Sequence, residues 1–187
     1  MTRIIAGSAG GRRIQTPRGR ATRPTSDRVR EALFSAIEAN LGSFAGRRFL
    51  DLYAGSGAVG LEAGSRGAAA VTLVEQDRST AALIRTNARV LGLPQVTVVA
   101  GAAQRWAEGP HDQPPYDAVF ADPPYDEPAA DVAAVLAALH ERARLAPTAL
   151  VVVERARRDP PWGWPAGFWA DRSKRYGDTT LWYGHAR

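Results

Sequence analysis

The sequence predicts an α/β fold in which helices cover both faces of a mostly parallel, seven-stranded sheet. From residue 48 onward, short apolar runs rich in β-branched residues alternate with helical segments, as in buried parallel sheets. A glycine-rich turn joins the first of these strands to its helix, which is typical of nucleotide-binding α/β folds. The last two runs meet at Gly177-Asp178, which predicts an antiparallel hairpin at the sheet edge.

The individual elements follow from composition and periodicity. Two short β-branched runs within residues 3–16 flank three glycines, which predicts a β-hairpin. Apolar residues then recur every four positions over 27–40, which predicts a helix that begins after Ser26 and stops at Gly42. The predicted strands of the sheet span 49–53, 71–75, 96–99, 116–121, 150–154, 168–175 and 179–185, and the predicted helices between them span 59–66, 79–91, 102–106 and 131–144.

The chain of 187 residues has the length of one domain with at most a small appendage. We expect an N-terminal extension over residues 1–42 and a main domain over 43–187. Residues 1–30 hold eight arginines against one acid, a net charge of +7, whereas the remaining 157 residues carry 16 basic and 18 acidic groups. A basic segment beside a near-neutral body indicates a polyanionic partner, most often nucleic acid. A solvated charged face or a disordered tail is the alternative.

The composition excludes several classes of protein. The chain has no cysteine, so it holds no disulfide, iron–sulfur cluster, cysteine zinc site or thiol nucleophile. Its three histidines are scattered, and we expect no metal site. The apolar runs are far shorter than the ~20 residues of a membrane span, and the first residues lack the apolar core of a secretory signal. We therefore expect a soluble, cytoplasmic protein that does not associate with membranes.

The segment Asp51–Gly60, with the sequence DLYAGSGAVG, carries the first chemical signal. It lies at a predicted strand end and opens a helix, which is the position of a nucleotide-binding loop. Gly55 and Gly57 permit a tight turn and a close approach of the backbone to a ligand. Glu75 ends the next strand about twenty residues on, where an acid accepts hydrogen bonds from ribose hydroxyls. A surface carboxylate at a strand end is the alternative for Glu75.

Two features favour a cationic ligand over a phosphate chain in this loop. A Walker loop requires a Lys-Ser/Thr pair after the glycines, and the single lysine of the chain, Lys174, lies far away. A dinucleotide dehydrogenase uses a similar turn, but Asp51 at the strand end repels a pyrophosphate. S-adenosylmethionine carries a sulfonium and an ammonium group, so the sequence favours it as the cofactor.

The second signal is Asp122-Pro123-Pro124-Tyr125, which follows the fourth predicted strand. Consecutive prolines fix a rigid, extended backbone, so the Asp122 carboxylate and the Pro123 carbonyl can point at one spot. Two acceptors suit an exocyclic amine, which has two N–H donors, and Tyr125 offers a flat face for a base. Holding the amine orients its lone pair toward a methyl donor, and Asp122 can take the leaving proton. A proline-rich turn with an aromatic lid is the alternative.

At these residues the chain resembles a known family. Asp-Pro-Pro-Tyr is similar to the signature of S-adenosylmethionine-dependent amino methyltransferases, which act on exocyclic or amide nitrogens. The segments 3–7, 23–31 and 51–60 together resemble the RsmD family of bacterial 16S rRNA guanine-N2 methyltransferases. The resemblance spans essentially the whole chain. It implies a Rossmann-like class I methyltransferase fold and methyl transfer from S-adenosylmethionine to the N2 amine of a guanine in the RNA of the small ribosomal subunit.

The resemblance also implies roles for individual residues. The cofactor would be held at its methionine end by Asp51, Gly55 and Gly57, at its ribose by Glu75, and at its adenine by Gln76 and Ala102, with Asp122 as a further cofactor contact. Asp122, Pro123 and Tyr125 would hold the guanine. Relatives often carry Asp or Asn after the third strand, where this chain has Gly101-Ala102-Ala103, so only backbone groups at Ala102 remain for the adenine.

We expect the basic extension to clamp RNA close to the cofactor pocket while the target base is flipped out toward Asp122. The predicted RNA-binding residues are Arg12, Arg13, Arg18, Arg20, Arg23, Arg28 and Arg30. For Arg23 and Arg28, docking of the extension on the main domain is an equal alternative. Arg155, Arg157 and Arg158 either extend the phosphate track or are solvated, and we expect the tryptophan-rich stretch 162–169 to pack on the sheet edge.

Two other functions stay open at this point. The same chemistry serves other amines, such as adenine N6 in DNA or a protein glutamine amide, although 187 residues leave little room for a DNA recognition region. A non-catalytic nucleic-acid-binding module that has kept the fold is the second alternative. The intact glycine loop and the intact Asp122–Tyr125 segment favour an enzyme, which we expect to act as a monomer.

Overall fold

The computed structural model describes residues 2–17 and 26–187. The chain begins with a small antiparallel pair, β1 (Thr2–Arg3) and β2 (Arg13–Ile14), followed by helix α1 (Asp27–Leu41). The remaining elements are β3 (Arg48–Asp51), α2 (Ala58–Ser65), β4 (Ala70–Glu75), α3 (Arg78–Leu91), β5 (Val96–Ala100), α4 (Ala103–Glu108), β6 (Tyr116–Ala121), α5 (Ala129–Glu141), β7 (Leu145–Ala156), β8 (Phe168–Tyr176) and β9 (Thr179–Ala186). No helix within these described ranges has both the length and the apolar character needed to cross a membrane.

Seven of the described strands form one sheet in the order β5-β4-β3-β6-β7-β9-β8. The first five in this order are parallel, and β9 and β8 complete the sheet as an antiparallel hairpin at one edge. The predicted fold class is therefore confirmed. The chain moves outward from β3 to β5 on one side and then from β6 to β7 on the other, so the strand order reverses between β3 and β6. In open α/β sheets, ligands bind at the carboxyl ends of the strands beside such a reversal.

The central strands β3, β4 and β6 are buried on both faces, and their successive residues point to opposite sides, into two separate apolar layers. In β3, Phe49 packs in the layer under α1, α2 and α3, whereas Leu50 packs in the layer under α4 and α5. In β6, Phe120 and Val119 divide between the two layers in the same way. This packing fixes the register of β3 against β6 and therefore the positions of the loops that follow them.

The fifth helix ends earlier than its apolar pattern predicts. It stops at Glu141, because Ala143 adopts a left-handed conformation with φ of 53°. Arg144, predicted to lie in the helix, is instead fully buried and donates hydrogen bonds to the carbonyls of Trp106 and Gly109. These tertiary contacts, which no local pattern encodes, turn the chain into β7 at Leu145 rather than at the predicted residue 150.

The N-terminal hairpin docks on helix α2 through a buried carboxylate. Glu62 is fully buried and accepts hydrogen bonds from the backbone N–H groups of Ile5, at 2.7 Å, and Ala6, at 2.9 Å. It also pairs with Arg66, whose Nε lies 2.8 Å from Glu62 Oε1. Ile4 belongs to the same apolar layer as α2 and α3. The hairpin is therefore an integral part of the packed structure.

The tryptophan-rich stretch packs as the sequence predicts. Trp162 is buried, and its ring meets that of Trp164 edge-on at 6.0 Å between centroids. Trp164 stacks on Phe168 at 6.1 Å and lies against Gly184 of β9, where any Cβ would meet its ring at 2.6 Å. These contacts cover the antiparallel edge of the sheet.

We expect Gly60→Ala to lower the free energy of unfolding by about 1–3 kcal/mol, the usual cost of overpacking. A Cβ at Gly60 would lie 2.5 Å from Cγ and Cδ2 of Leu73 in β4, so either the buried Leu73 side chain or α2 would have to shift. Urea denaturation measures the change. Gly101→Ala serves as the control, because a Cβ there would meet no atom of the described residues within 4 Å.

The variant Gly60→Ala/Leu73→Ala separates overpacking from other effects of the methyl group. Leu73→Ala removes the clashing atoms, so the double variant should lose less stability than the sum of the two single variants. Full additivity, or a Gly60→Ala variant as stable as the wild type, would show that α2 does not depend on this close approach.

Candidate functional site

The glycine-rich segment forms a turn between the carboxyl end of β3 and the start of α2. Gly55 and Gly57 both have left-handed backbone conformations, with φ of 54° and 79°, which side chains other than glycine adopt at a cost. A Cβ at Gly55 would meet no described atom within 4 Å, so the backbone there is open to a ligand. At Gly57 a Cβ would lie 2.9 Å from Ile84 of α3. A side chain is therefore disfavoured at the two positions for different reasons. At Gly55 its absence leaves the backbone accessible to a ligand, and at Gly57 it allows close packing against Ile84.

Asp51, the last residue of β3, lies buried beneath this turn. Its Oδ2 accepts a hydrogen bond from the backbone N–H of Gly60 at 3.0 Å. Its Oδ1 is buried and accepts no hydrogen bond of ordinary length and angle from the described residues. Burial raises the pKa of the Asp51 carboxyl to about 7, repulsion from Glu75 adds to the rise, and backbone hydrogen bonds from Gly60 and, more weakly, from Tyr53 oppose it. A carboxylate with an unsatisfied buried oxygen suits a cationic group that supplies N–H donors.

Glu75, the last residue of β4, ties the glycine turn to the neighbouring strand. Its Oε2 accepts a hydrogen bond from the N–H of Gly55, and its Oε1 accepts one from the N–H of Asp77, both at 2.8 Å. Each carboxylate oxygen can accept a further hydrogen bond, so these contacts leave capacity for hydroxyl donors. Glu75 thus lies against the part of the loop that is open to a ligand.

Gln76 and Ala102 lie on adjacent strand ends. Glu75 pairs with Ala100 in the parallel ladder of β4 and β5, and the N–H of Gly101 donates to the carbonyl of Glu75 at 2.9 Å. Gln76 and Ala102, the next residues along each segment, are both exposed. The structure therefore brings the predicted cofactor residues of β3, β4 and β5 to one edge of the sheet.

The Asp122–Tyr125 segment follows β6, on the other side of the reversal in strand order. Asp122 is partly exposed, Pro123 is buried, and Tyr125 is 63% exposed with its ring at the surface. A narrow pocket opens beside them, lined by Asp122, Pro123, Tyr125, Glu154, Arg155, Ala156, Asp159 and Thr179. The segment thus supplies acceptors inside a cleft and an aromatic face at its rim.

Glu154 is a feature of this pocket that the sequence analysis does not single out. Ala121 pairs with Val153 in the ladder of β6 and β7, so Asp122 and Glu154 are the next residues along two adjacent strands. The Glu154 Oε1 atom accepts a hydrogen bond from the Thr179 hydroxyl of β9 at 3.1 Å. The available signal was an acid at the carboxyl end of an apolar strand, but its closeness to Asp122 depends on the strand order.

The carboxyl groups of Asp122 and Glu154 both have raised pKa values. Burial raises the pKa of Asp122 well above its ordinary value, and repulsion from Glu154 and Asp51 adds to the shift. Burial raises the pKa of Glu154 to about 7, although the Thr179 hydrogen bond opposes the rise. Raised carboxyl pKa values in a cleft are typical of sites that bind or move protons.

Four carboxyls therefore line the carboxyl edge of the sheet, one for each strand from β4 through β3 and β6 to β7. In that order they are Glu75, Asp51, Asp122 and Glu154. Such a row creates a negative local potential that attracts cations and N–H donors and repels phosphates. The electrostatics favour a cationic ligand and an amine-bearing partner within this edge.

Arg155 is inward-facing, so neither role predicted for it, phosphate contact or solvated side chain, is correct. Its side chain is 9% exposed, and its Nε lies 3.1 Å from Asp159 Oδ2. Its Nη1 donates to the carbonyl of Glu127 at 3.1 Å, just beyond the Asp122–Tyr125 segment. Arg155 therefore braces the loop that carries the pocket.

The predicted RNA-binding arginines fall into three groups. Arg12, Arg13 and Arg28 are exposed, and Arg12 donates to the Val90 carbonyl at the end of α3 at 2.6 Å. Arg18, Arg20 and Arg23 lie outside the described residues. Arg30 forms the third group by itself.

The prediction that Arg30 binds RNA is wrong. Arg30 is fully buried and donates from Nη2 to the carbonyl of Arg3 at 2.9 Å and to Asp27 at 2.6 Å. Its Nη1 lies 3.9 Å from Glu62 Oε2, in the network that docks the hairpin. An interior guanidinium has no access to a phosphate, so Arg30 instead links α1 to the hairpin and to Glu62 of α2.

The part of the chain that the structure describes contains no cluster of side chains suited to a metal ion. No group of three or more His, Asp or Glu side chains there is arranged to hold a metal ion. The four carboxyls at the sheet edge are spread over four strands, so they form a row rather than a cage.

Comparison with known proteins identifies several that this chain resembles over most of its length. The family model described as "Conserved hypothetical protein 95" matches residues 2–185. "Ribosomal RNA small subunit methyltransferase D" from Haemophilus influenzae is 36% identical over 160 residues, which cover 84% of this chain and 80% of that protein. The protein of the same name from Escherichia coli strain K12 is 39% identical over 123 residues, which cover 66% of this chain and 60% of that protein.

The similarity extends to three-dimensional structure. The solved structure described as "Putative methyltransferase yhhF from Escherichia coli" superposes with a TM-score of 0.82 at 33% identity. The superposition covers 100% of this chain and 98% of that one. The likeness therefore includes both the N-terminal extension and the antiparallel hairpin of the sheet.

Proposed function

The chain belongs to the conserved hypothetical protein 95 family of RsmD-type methyltransferases, and we propose that it transfers a methyl group from S-adenosylmethionine to the exocyclic N2 amine of a guanine in 16S rRNA. The observation that carries this proposal is the Asp122–Tyr125 segment, which provides acceptors and a stacking face beside the glycine turn. The relatives named as small-subunit rRNA methyltransferases support the choice of RNA. The guanine N2 amine rests on the family resemblance and on the chemistry of the pocket.

The residues at the strand ends fit S-adenosylmethionine. Asp51, with its unsatisfied buried Oδ1, would hold the ammonium group of the cofactor. The open backbone at Gly55 leaves room for the aliphatic part of the methionine next to that group. Glu75 would accept hydrogen bonds from the ribose hydroxyls, and Gln76 and Ala102 would flank the adenine. The bound cofactor supplies an electrophilic methyl group. The row of four carboxyls stabilises its positive charge before transfer.

Asp122 and Pro123 would prepare the amine for attack. A guanine N2 amine is a weak nucleophile because its lone pair is conjugated with the ring. Acceptance of its two hydrogens by the Asp122 carboxylate and the Pro123 carbonyl orients the lone pair toward the methyl group. Asp122 then takes the proton that the methylated amine releases, as its raised pKa allows. Tyr125 would stack on the flipped base.

We further propose that residues 1–42 are an RNA-binding extension and that residues 43–187 are the methyltransferase domain. The exposed arginines Arg12, Arg13 and Arg28 would contact phosphates, together with Arg18, Arg20 and Arg23. Positive charge on the extension offsets the repulsion between RNA and the acidic sheet edge. We propose that the protein acts as a monomer in the bacterial cytoplasm, where its RNA substrate is found.

The proposed function is tested by supplying radiolabelled S-adenosylmethionine together with unmodified small subunits, free 16S rRNA or DNA, and then mapping the methylated base. We expect N2-methylguanine at one position of the rRNA. Label in DNA alone would refute the RNA assignment. Absence of cofactor binding by calorimetry would favour a non-catalytic binding module instead.

We expect replacement of Arg12, Arg13 and Arg28 by alanine to weaken RNA binding and to flatten its dependence on salt. Each lost phosphate contact removes about 0.7–0.9 from the slope of log K against log salt, so three contacts remove about 2–3. Titration by fluorescence anisotropy at several salt concentrations measures both effects. Arg105→Ala/Arg142→Ala, which removes two exposed arginines from α4 and the end of α5, is the control. An unchanged slope in the triple variant would place the RNA contact elsewhere.

A further inference from the structure

Glu154 lies in the proposed base pocket but has no part in the chemistry assigned to Asp122. Glu154 follows Val153, and Asp122 follows Ala121, the residue that pairs with Val153 in the ladder of β6 and β7; both acids line the same cleft. The two carboxyls are close enough for repulsion from Glu154 to raise the pKa of Asp122. A base whose amine reaches Asp122 therefore also presents the neighbouring part of its edge to Glu154.

One oxygen of Glu154 is available for such a contact. Thr179 donates to Oε1, which fixes the side chain against the C-terminal hairpin. Oε2 is buried and accepts no hydrogen bond within the described part of the chain. A buried acceptor left unpaired costs about 1–3 kcal/mol, which a ligand donor recovers on binding. The terminal torsion of a glutamate is soft, so a small rotation brings this oxygen toward an entering base.

The Watson–Crick edges of the purines differ at the atom that Glu154 would meet. In guanine, the N2 amine adjoins N1–H, so the edge presents a row of donors. In adenine, the N6 amine adjoins a bare N1, which is an acceptor. Two neighbouring carboxyl groups therefore complement guanine, whereas a carboxylate facing adenine N1 meets repulsion between lone pairs.

We propose that Glu154 reads the N1–H of the target guanine and makes the pocket specific for guanine over adenine. This inference rests on the proposed function and deepens it, because it assigns base selection to a residue of the same site. Asp122 holds the reacting amine and Glu154 holds the adjacent ring N–H, so the two contacts also fix the base in its plane. Arg155 and Thr179 are positioning residues: one braces the loop and the other orients Glu154.

The protonation state of the pair agrees with this role. Without a base, burial raises the pKa of Glu154 to about 7, so a proton neutralises part of the crowded negative charge. A donor from N1–H stabilises the ionised form and lowers that pKa on binding. Guanine therefore binds the ionised form of Glu154. Discrimination against adenine is greatest above pH 7, because a protonated Glu154 would offer an O–H donor to the bare N1 of adenine.

The test compares two target bases in RNA of otherwise identical sequence, with the target position mapped as described above. One RNA carries guanine there and the other carries 2-aminopurine, which keeps the C2 amine but has a bare N1 and no O6. The proteins are the wild type, Glu154→Gln and, as a matched control, Glu141→Gln, whose side chain is exposed at the end of α5. The readout is the ratio of kcat/KM for guanine to kcat/KM for 2-aminopurine, measured well above pH 7 so that the Glu154 carboxyl is ionised.

We expect the wild type and Glu141→Gln to prefer guanine by at least about 100-fold, because a site built for a donor rejects its absence strongly. Glu154→Gln should lower this ratio at least tenfold, because its amide N–H can donate to the bare N1. Any preference that comes from O6 is the same in all three proteins and cancels. Calorimetry should show unchanged cofactor affinity in Glu154→Gln.

Two outcomes overturn the inference, and they are distinguishable. If Glu154→Gln lowers both rates equally or leaves the ratio unchanged, Glu154 does not read N1, while the proposed function stands. If the wild type forms no N2-methylguanine at all, the proposed function fails and the inference fails with it.

Discussion

Asp122→Asn should lower kcat for methyl transfer by about 10²–10⁴-fold, the usual contribution of a positioned proton acceptor. The substitution keeps the shape of the side chain but removes its charge. One of the two positions that face the amine then carries an N–H donor, which opposes the amine hydrogens instead of accepting them. Affinity for S-adenosylmethionine should stay within about threefold, because Asp51 and Glu75 provide the main proposed contacts.

Single-turnover transfer to the mapped RNA measures the rate, and calorimetry measures cofactor binding. Asp126→Asn is the matched control, because Asp126 is an exposed acid in the same loop, four residues further on. The control should retain wild-type activity. Turnover of Asp122→Asn within tenfold of the wild type would show that another group accepts the amine hydrogens, and Glu154 would be the first candidate because it lines the same pocket.

Local sequence predicts the parts of the site that depend on strand ends and turns. The positions of Asp51, Glu75 and Asp122 follow once the apolar strands are recognised, because each acid lies at or just after the carboxyl end of its strand. The left-handed conformations of Gly55 and Gly57 follow from the tight turn. These features are encoded within a few residues of one another, and for that reason the sequence specifies them well.

The features that sequence reasoning missed depend on long-range packing. The role of Glu154 requires that β7 lie beside β6 with Val153 opposite Ala121, which no local pattern encodes. The burial of Arg30 depends on Glu62, 32 residues further along the chain, and a run of arginines gives no sign that one member points inward. Composition predicts the charge of a segment, but tertiary contacts decide which of its side chains reach solvent.

We expect Glu62→Ala to lower the free energy of unfolding by about 3–5 kcal/mol, as is usual when one partner of a buried ion pair is removed. The substitution leaves the buried N–H groups of Ile5 and Ala6 without their acceptors. It also removes one of the two carboxylates that balance the buried positive charge of Arg30. Two nitrogens of Arg30, Nε and Nη1, already make no hydrogen bond to the described residues. The loss is large beside the 5–15 kcal/mol that stabilises a typical domain.

Urea denaturation followed by circular dichroism measures this loss. Glu31→Ala, at an exposed position of α1, is the control and should change stability by less than about 0.5 kcal/mol. Glu62→Gln should give an intermediate loss, because the amide oxygen still accepts one hydrogen bond but carries no charge. A Glu62→Ala variant within about 1 kcal/mol of the wild type would show that the apolar contacts of the hairpin suffice to dock it.

The same variant links stability to RNA recognition. Glu62 accepts hydrogen bonds from the hairpin and Arg30 donates one to it. Together they fix the exposed arginines relative to the sheet edge. In Glu62→Gln, which should remain folded, a loosened extension would pay an ordering cost whenever RNA binds. RNA affinity should therefore fall while cofactor affinity is retained, because the hydrogen bonds of Asp51 and Glu75 go to Gly60, Gly55 and Asp77 and do not involve Glu62. Equal losses of both affinities would indicate general unfolding instead of a loosened clamp.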